Sequence, residues 1–97
     1  QQQNAQFKII DVRTESEFNT GHILGAINID WNTKKNDLLR LSKTDTILIY
    51  CRSGRRSRLA MDFMKENSFN YLFQMDGGLL QWQKEFKTLT PSPTNEI

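Results

Sequence analysis

Ninety-seven residues, 37% of them hydrophobic and 25% charged, with a net charge of +2, describe one domain with a modest core and no room for a second. A single cysteine excludes an intramolecular disulfide, and with one histidine beside it the chain lacks the usual Cys/His ligands of a zinc site, so no metal and no cofactor are expected. The isoelectric point near 8.9 rests on 13 Lys and Arg against 11 Asp and Glu, too small a surplus to indicate a nucleic-acid partner.

Residues 1–6 (QQQNAQ) are polar and read as a flexible segment ahead of a domain at 7–87. The chain begins at Gln1, which leaves a cytosolic protein and an exported one with its signal removed both open, a periplasmic location being the expectation. Phe7 to Asp11 is a short β-branched and aromatic run ending at an acid, the pattern of a buried strand. Thr14 and Glu17 form a T-x-x-E capping box that starts a short helix, which Gly21 ends. Ala26 to Ile29 is a second strand, and Leu38, Leu39 and Leu41 give a weak helical stripe over 34–41. Thr46 to Tyr50 is the clearest strand, an unbroken run of the kind buried on both faces of a parallel sheet. Leu59, Ala60, Phe63 and Met64 predict a helix over 57–66. Tyr71 to Gln74 is a further strand, Gly77 and Gly78 break the chain, and Leu79, Trp82 and Phe86 mark one face of a final helix. Residues 88–97 (TLTPSPTNEI) read as a flexible tail. No apolar run approaches the ~20 residues of a membrane span. Alternation of strand and helix argues for an α/β domain with a mostly parallel sheet, where ligands bind beyond the carboxyl ends of the strands. Cys51 stands there, directly after the strand at 46–50.

The charge is unevenly spread. Arg52, Arg55, Arg56 and Arg58 follow Cys51 with no acid among them, so the segment 51–58 carries +4 and the rest of the chain −2. A thiol attacks only as the thiolate, and three features here favour that form over a thiol of pKa about 8.5. Gly54 lets backbone N–H groups converge as an anion-binding nest, the following helix aims its positive end at the same point, and the arginines add full charge. Together they predict a reactive, ionised Cys51 facing an anionic substrate.

The sequence Cys51-Arg52-Ser53-Gly54-Arg55-Arg56 resembles the C-R-x-G-x-[RT] active-site loop of rhodaneses, the thiosulfate sulfurtransferases. The likeness extends to Asp11-Val12-Arg13, Glu17-Phe18, the run Gly21 to Ile29, and Met75-Asp76-Gly77-Gly78-Leu79 with Trp82, covering residues 7–86 in order. It implies a three-layer domain with helices on both faces of the sheet, and a two-step transfer. Cys51 takes the outer sulfur of a small anionic donor, and a thiol or cyanide acceptor, or a protein acceptor, then removes it. On this reading Arg52 and Arg56 hold the donor's sulfonate, Ser53, Gly54 and Arg55 complete the substrate-binding loop, and Ser57, Asp11 and Arg13 support it. A monomer is expected. The equivalent histidine, His22, belongs to a structural turn in that family and is not read as a base. Asp11 and Arg13 are read as an ion pair or loop anchor, Arg58 as a solvated charge, Trp82 and Phe86 as core, and Trp31 as surface or pocket rim.

Two alternatives stand beside this one. A persulfide carrier serving protein partners would use the same residues. A cysteine-dependent phosphatase or arsenate reductase would need C-x5-R, but the sixth residue after Cys51 is Ser57; Arg56 falls one short and Arg58 one beyond.

Overall fold

The computed structural model describes residues 5–75 and 77–86, with the side chains of Glu85 and Phe86 left aside. Of the expected flexible segments, residues 1–4 and 88–97 therefore lie outside the described residues, as do Asp76 and the Phe86 side chain. In chain order the elements are β1 (Phe7–Asp11), α1 (Glu15–Thr20), β2 (Ile27–Asn28), α2 (Trp31–Lys34), a 3-10 helix (Lys35–Arg40), β3 (Thr46–Tyr50), α3 (Arg55–Glu66), β4 (Leu72–Gln74) and α4 (Gly78–Phe86). The strands form one parallel sheet in the order β2-β1-β3-β4. The chain leaves β1 toward one edge and later returns to build the other half, so the crevice between the carboxyl ends of β1 and β3 is a topological switch point. Asp11 and Cys51 stand at those two ends.

Alternation along the strands splits the side chains between two faces. Ile10, Ile47 and Ile49 point into the principal core, where Ala60 and Met64 of α3, Leu38 of the 3-10 helix and Phe69 close over them. Ser57, Ala60 and Met64 are the buried positions of α3, spaced three and four apart, and this one stripe packs the helix on the sheet. Leu59, expected in the apolar stripe, points outward.

The opposite face is covered unevenly. At its carboxyl end Asp11 and Tyr50 are fully buried, and the Tyr50 hydroxyl accepts a 3.1 Å hydrogen bond from the Ile23 amide in the turn after α1. Toward its amino end Phe7 and Phe73 are 61% and 56% exposed, and Leu48 between them is only half-buried. The expected helices on both faces are present, with a full cover on one side and a partial one on the other.

Three boundaries differ from expectation. α3 starts at Arg55, two residues early, because Gly54 in the left-handed region (φ 111°) is its N-cap. The second strand shrinks to two residues at the sheet edge, and the 34–41 stripe folds as α2 and the 3-10 helix. Trp31, expected at the surface or a pocket rim, is partly buried and packs against the core. It is the first residue of α2, which Asp30 caps by accepting from the Asn32 amide, and its ring meets Phe63 edge-on, 5.6 Å between centroids, at the margin of the core. Among the described residues no helix is long and apolar enough to cross a membrane.

Candidate active site

β3 delivers Cys51 to the sheet edge, and Gly54 turns the chain at once into α3. The turn points two amides back at the sulfur: Gly54 N–H lies 3.1 Å and Ser57 N–H 3.4 Å from Cys51 Sγ. The Ser57 hydroxyl is the third contact, at 3.6 Å. Only 1% of Cys51 is exposed, and Ser57 is wholly buried. Burial pushes the thiol pKa up, but the hydrogen bonds from the Ser57 amide and hydroxyl and from the Gly54 and Ser53 amides outweigh it and hold the thiol below its ordinary value. Hydrogen bonds thus dominate the lowering, where the sequence pointed equally to the arginines.

The loop is fastened from behind by α4. Leu79 N–H donates to Cys51 O at 2.8 Å and Leu80 N–H to Arg52 O at 3.0 Å, so the first turn of α4 takes up the loop's carbonyls while its amides face the sulfur. This contact needs a glycine at 78. The residue has φ 64°, and a Cβ there would sit 2.6 Å from the Arg52 carbonyl oxygen.

The arginines divide. Arg52 and Arg55 are exposed beside the loop, and Arg58 is exposed with its guanidinium 3.8 Å from Asp62, in accord with a solvated charge. Arg56 is committed elsewhere: its Nη1 and Nη2 bind the two Glu17 oxygens at 2.7 and 3.1 Å. The same Glu17 accepts from the Thr14 amide at 3.0 Å and completes the expected capping box, with the Glu17 amide donating to Thr14 Oγ1. The Arg56 hydrogen bond is the leading reason the Glu17 carboxyl falls from an ordinary 4.5 to about 2. Read in sequence as a helix cap and as part of the family resemblance, Glu17 also joins α1 to α3, the helix that follows the cysteine loop.

Asp11 and Arg13 form a buried bidentate pair, Arg13 Nη2 to Asp11 Oδ2 at 2.7 Å, and Arg13 also reaches the Gly21 carbonyl at 2.7 Å. They anchor the β1 turn and the end of α1 and do not touch the sulfur. His22 is likewise a turn residue, its Nδ1 donating to Phe18 O at 3.0 Å and its ring stacked on Phe18. Among the described residues no group of three His, Cys, Asp or Glu side chains is placed to hold a metal.

A surface concavity of about 350 Å³ lined by Glu15, Phe18, Asn28 and Asp30 contains no residue of the Cys51 loop. The site is instead the buried Cys51 sulfur under its loop amides, with Arg52 and Arg55 exposed beside it.

The sequence model of the rhodanese-like domain matches residues 1–85. The chain belongs to the rhodanese-like domain family. This rhodanese-like domain is 31% identical over 80 residues to the uncharacterized protein YqhL of Bacillus subtilis, covering 82% of the chain and 64% of YqhL. It is 32% identical over 78 residues to the adenylyltransferase and sulfurtransferase uba4 of Ogataea parapolymorpha, covering 79% of the chain but 20% of that protein. A structure described as a rhodanese with anions from E. coli superposes with a TM-score of 0.67 at 30% identity, over 76% of this chain and 88% of that one. The chain therefore spans less than two thirds of both curated relatives. Membership supports a cysteine-dependent, sulfur-related role.

Proposed function

We propose that this domain is a sulfurtransferase that moves a sulfane sulfur from thiosulfate, or a similar anionic donor, to a thiophilic acceptor through a persulfide on Cys51. The supporting observation is the convergence of the Gly54 and Ser57 amides on Sγ. The Cys51 thiolate attacks the outer sulfur of thiosulfate; the S–S bond breaks, and sulfite leaves with its electron pair. Cyanide or a thiolate then attacks the terminal sulfur of the persulfide, forms thiocyanate or a new persulfide, and returns the electron pair to Cys51. The inner donors stabilise the thiolate as leaving group in this second step. Arg52 and Arg55, exposed and near the loop, receive the donor's sulfonate, whereas Arg56, held by Glu17, stiffens the first turn of α3.

A partner-fed form of the same chemistry draws support from uba4, an adenylyltransferase and sulfurtransferase in which the stretch similar to this domain is a fifth of a longer chain. Incubation with thiosulfate and cyanide should yield thiocyanate, and Cys51→Ser should abolish it; activity surviving in that variant ends the proposal. Mass spectrometry after thiosulfate alone should find one added sulfur. Its absence, with loading from a protein persulfide, selects the partner-fed form.

A further inference from the structure

Gln74, at the carboxyl end of β4, lies far from Cys51 in sequence and outside every motif of the family resemblance, yet its side chain ends beneath the sulfur cradle. Nε2 lies 2.9 Å from the Gly54 carbonyl oxygen and 3.0 Å from Ser57 Oγ. A carbonyl only accepts, so the amide nitrogen, not Oε1, must face Gly54, and its two hydrogens serve the two contacts.

Three donors meet at that carbonyl. Besides Gln74, the Arg58 amide donates to it at 3.1 Å within α3, and the Ser57 hydroxyl lies 3.1 Å away. A carbonyl oxygen has two lone pairs. With Arg58 N–H and Gln74 N–H occupying both, the Ser57 proton is the surplus donor. Cys51 Sγ, 3.6 Å from Ser57 Oγ, is the acceptor within its reach. We propose that Gln74 is a positioning residue for the sulfur chemistry: by filling the Gly54 carbonyl and donating to Ser57 Oγ, it releases the Ser57 hydroxyl to donate to the Cys51 thiolate and to the persulfide formed there. In the thiol form the S–H points to Ser57 Oγ. Loss of the thiol proton lets the Ser57 hydroxyl turn its own proton to the sulfur, while the Gly54 carbonyl keeps its donors from Arg58 and Gln74. Donation from Gln74 into Oγ also polarises the O–H that faces sulfur.

The charged groups around the cradle are Arg52 on the loop, Arg55 and Arg56 on α3, Glu17 of α1 through its pair with Arg56, and Asp11 with Arg13 at the end of β1. The hydrogen bonds of the Gln74 side chain run to Gly54 and Ser57, so its replacement leaves these charges in place.

The inference rests on the sulfurtransferase reading for its purpose but is tested apart from turnover, by the pH dependence of Cys51 alkylation. Gln74→Met keeps the length of the side chain and removes both donors. The alkylation midpoint should rise by about one pH unit, a tenfold loss of thiolate at a fixed pH below the midpoint. In a Ser57→Ala background the same substitution should move it by less than about a third as much, because the hydroxyl through which it acts is gone. Gln74→Glu, which sets a carboxylate against the Gly54 carbonyl and offers the Ser57 hydroxyl an acceptor in place of the sulfur, should raise the midpoint at least as far and serves if the methionine variant melts early. An unchanged midpoint in both variants, or an equal shift with and without Ser57, overturns the role of Gln74. Absence of thiocyanate formation by the parent protein, with the Ser57-dependent shift intact, would overturn the sulfurtransferase reading and leave Gln74 in place.

Discussion

Replacing Gly78 by alanine adds one methyl group where the backbone of α4 meets the backbone of the cysteine loop. The new Cβ would stand 2.6 Å from the Arg52 carbonyl oxygen and 2.8 Å from Ser53 N, against ordinary contacts of 3.4 Å or more, so the two segments must part by roughly 0.8 Å. At that separation the hydrogen bonds from Leu79 N to Cys51 O (2.8 Å) and from Leu80 N to Arg52 O (3.0 Å) are lost. Each contributes about 1 kcal/mol, and an alanine held in the left-handed region adds about 1 kcal/mol more, for a destabilisation of roughly 3 kcal/mol. For a domain of this size that is a fall in melting temperature of about 12 to 24 °C. Gly25→Ala is the control: Gly25 also has positive φ (87°), but nothing lies within 4 Å of the point its new methyl group would occupy, so it should lose only the conformational part, about 1 kcal/mol. Urea unfolding followed by circular dichroism measures both. Because the loop amides lose their backing, Cys51 in the Gly78 variant should also be alkylated with a midpoint nearer an ordinary thiol. Equal stability losses in the two alanine variants would refute the close-approach argument, since strain alone would then account for both.

Other consequences can be measured in the same way. Glu17 has its folded pKa depressed from 4.5 to about 2, so its stabilisation is fully present above about 4.5 and is lost as pH falls toward 2. The difference corresponds to at most about 3 kcal/mol, reduced to about 1 to 2 by the partial exposure of the pair, and Glu17→Gln should remove that part of the acid-side slope in a stability-against-pH series. Asp11→Asn leaves the buried Arg13 guanidinium without its counter-charge and should destabilise by about 3 to 5 kcal/mol, whereas retained stability in denaturant titration would place the pair outside the folding core. Arg52→Ala and Arg55→Ala should each raise the KM for thiosulfate several-fold, less so at high salt, with little change in stability; an unaltered KM in both would remove the cationic rim from donor binding.

Much of this protein was written in local sequence. Strand β3, the Thr14–Glu17 capping box and the helix after the cysteine depend on neighbours a few residues apart, so periodicity and capping chemistry located them, with errors of one or two residues at the ends. The cysteine loop was legible for the same reason: Cys51, Gly54 and Ser57 are close in the chain, and a strand-to-helix turn brings their amides together. What the sequence could not divide correctly was the pair Arg52 and Arg56, both read as holders of the sulfonate. Spacing alone made Arg56 as good a sulfonate ligand as Arg52, and only the fold, by carrying Glu17 alongside α3, gives Arg56 a bidentate partner and leaves Arg52 and Arg55 exposed. Gln74 and the amides of Leu79 and Leu80 are of the same kind. They lie on β4 and α4, more than twenty residues from Cys51, and become its supports because a parallel sheet aligns the carboxyl ends of its strands and starts the next helix there. Sequence by itself picked out Cys51 and the turn that brings amides to its sulfur. Tertiary structure decided which charges are free and which distant groups hold that turn, since those depend on contacts that no local spacing encodes.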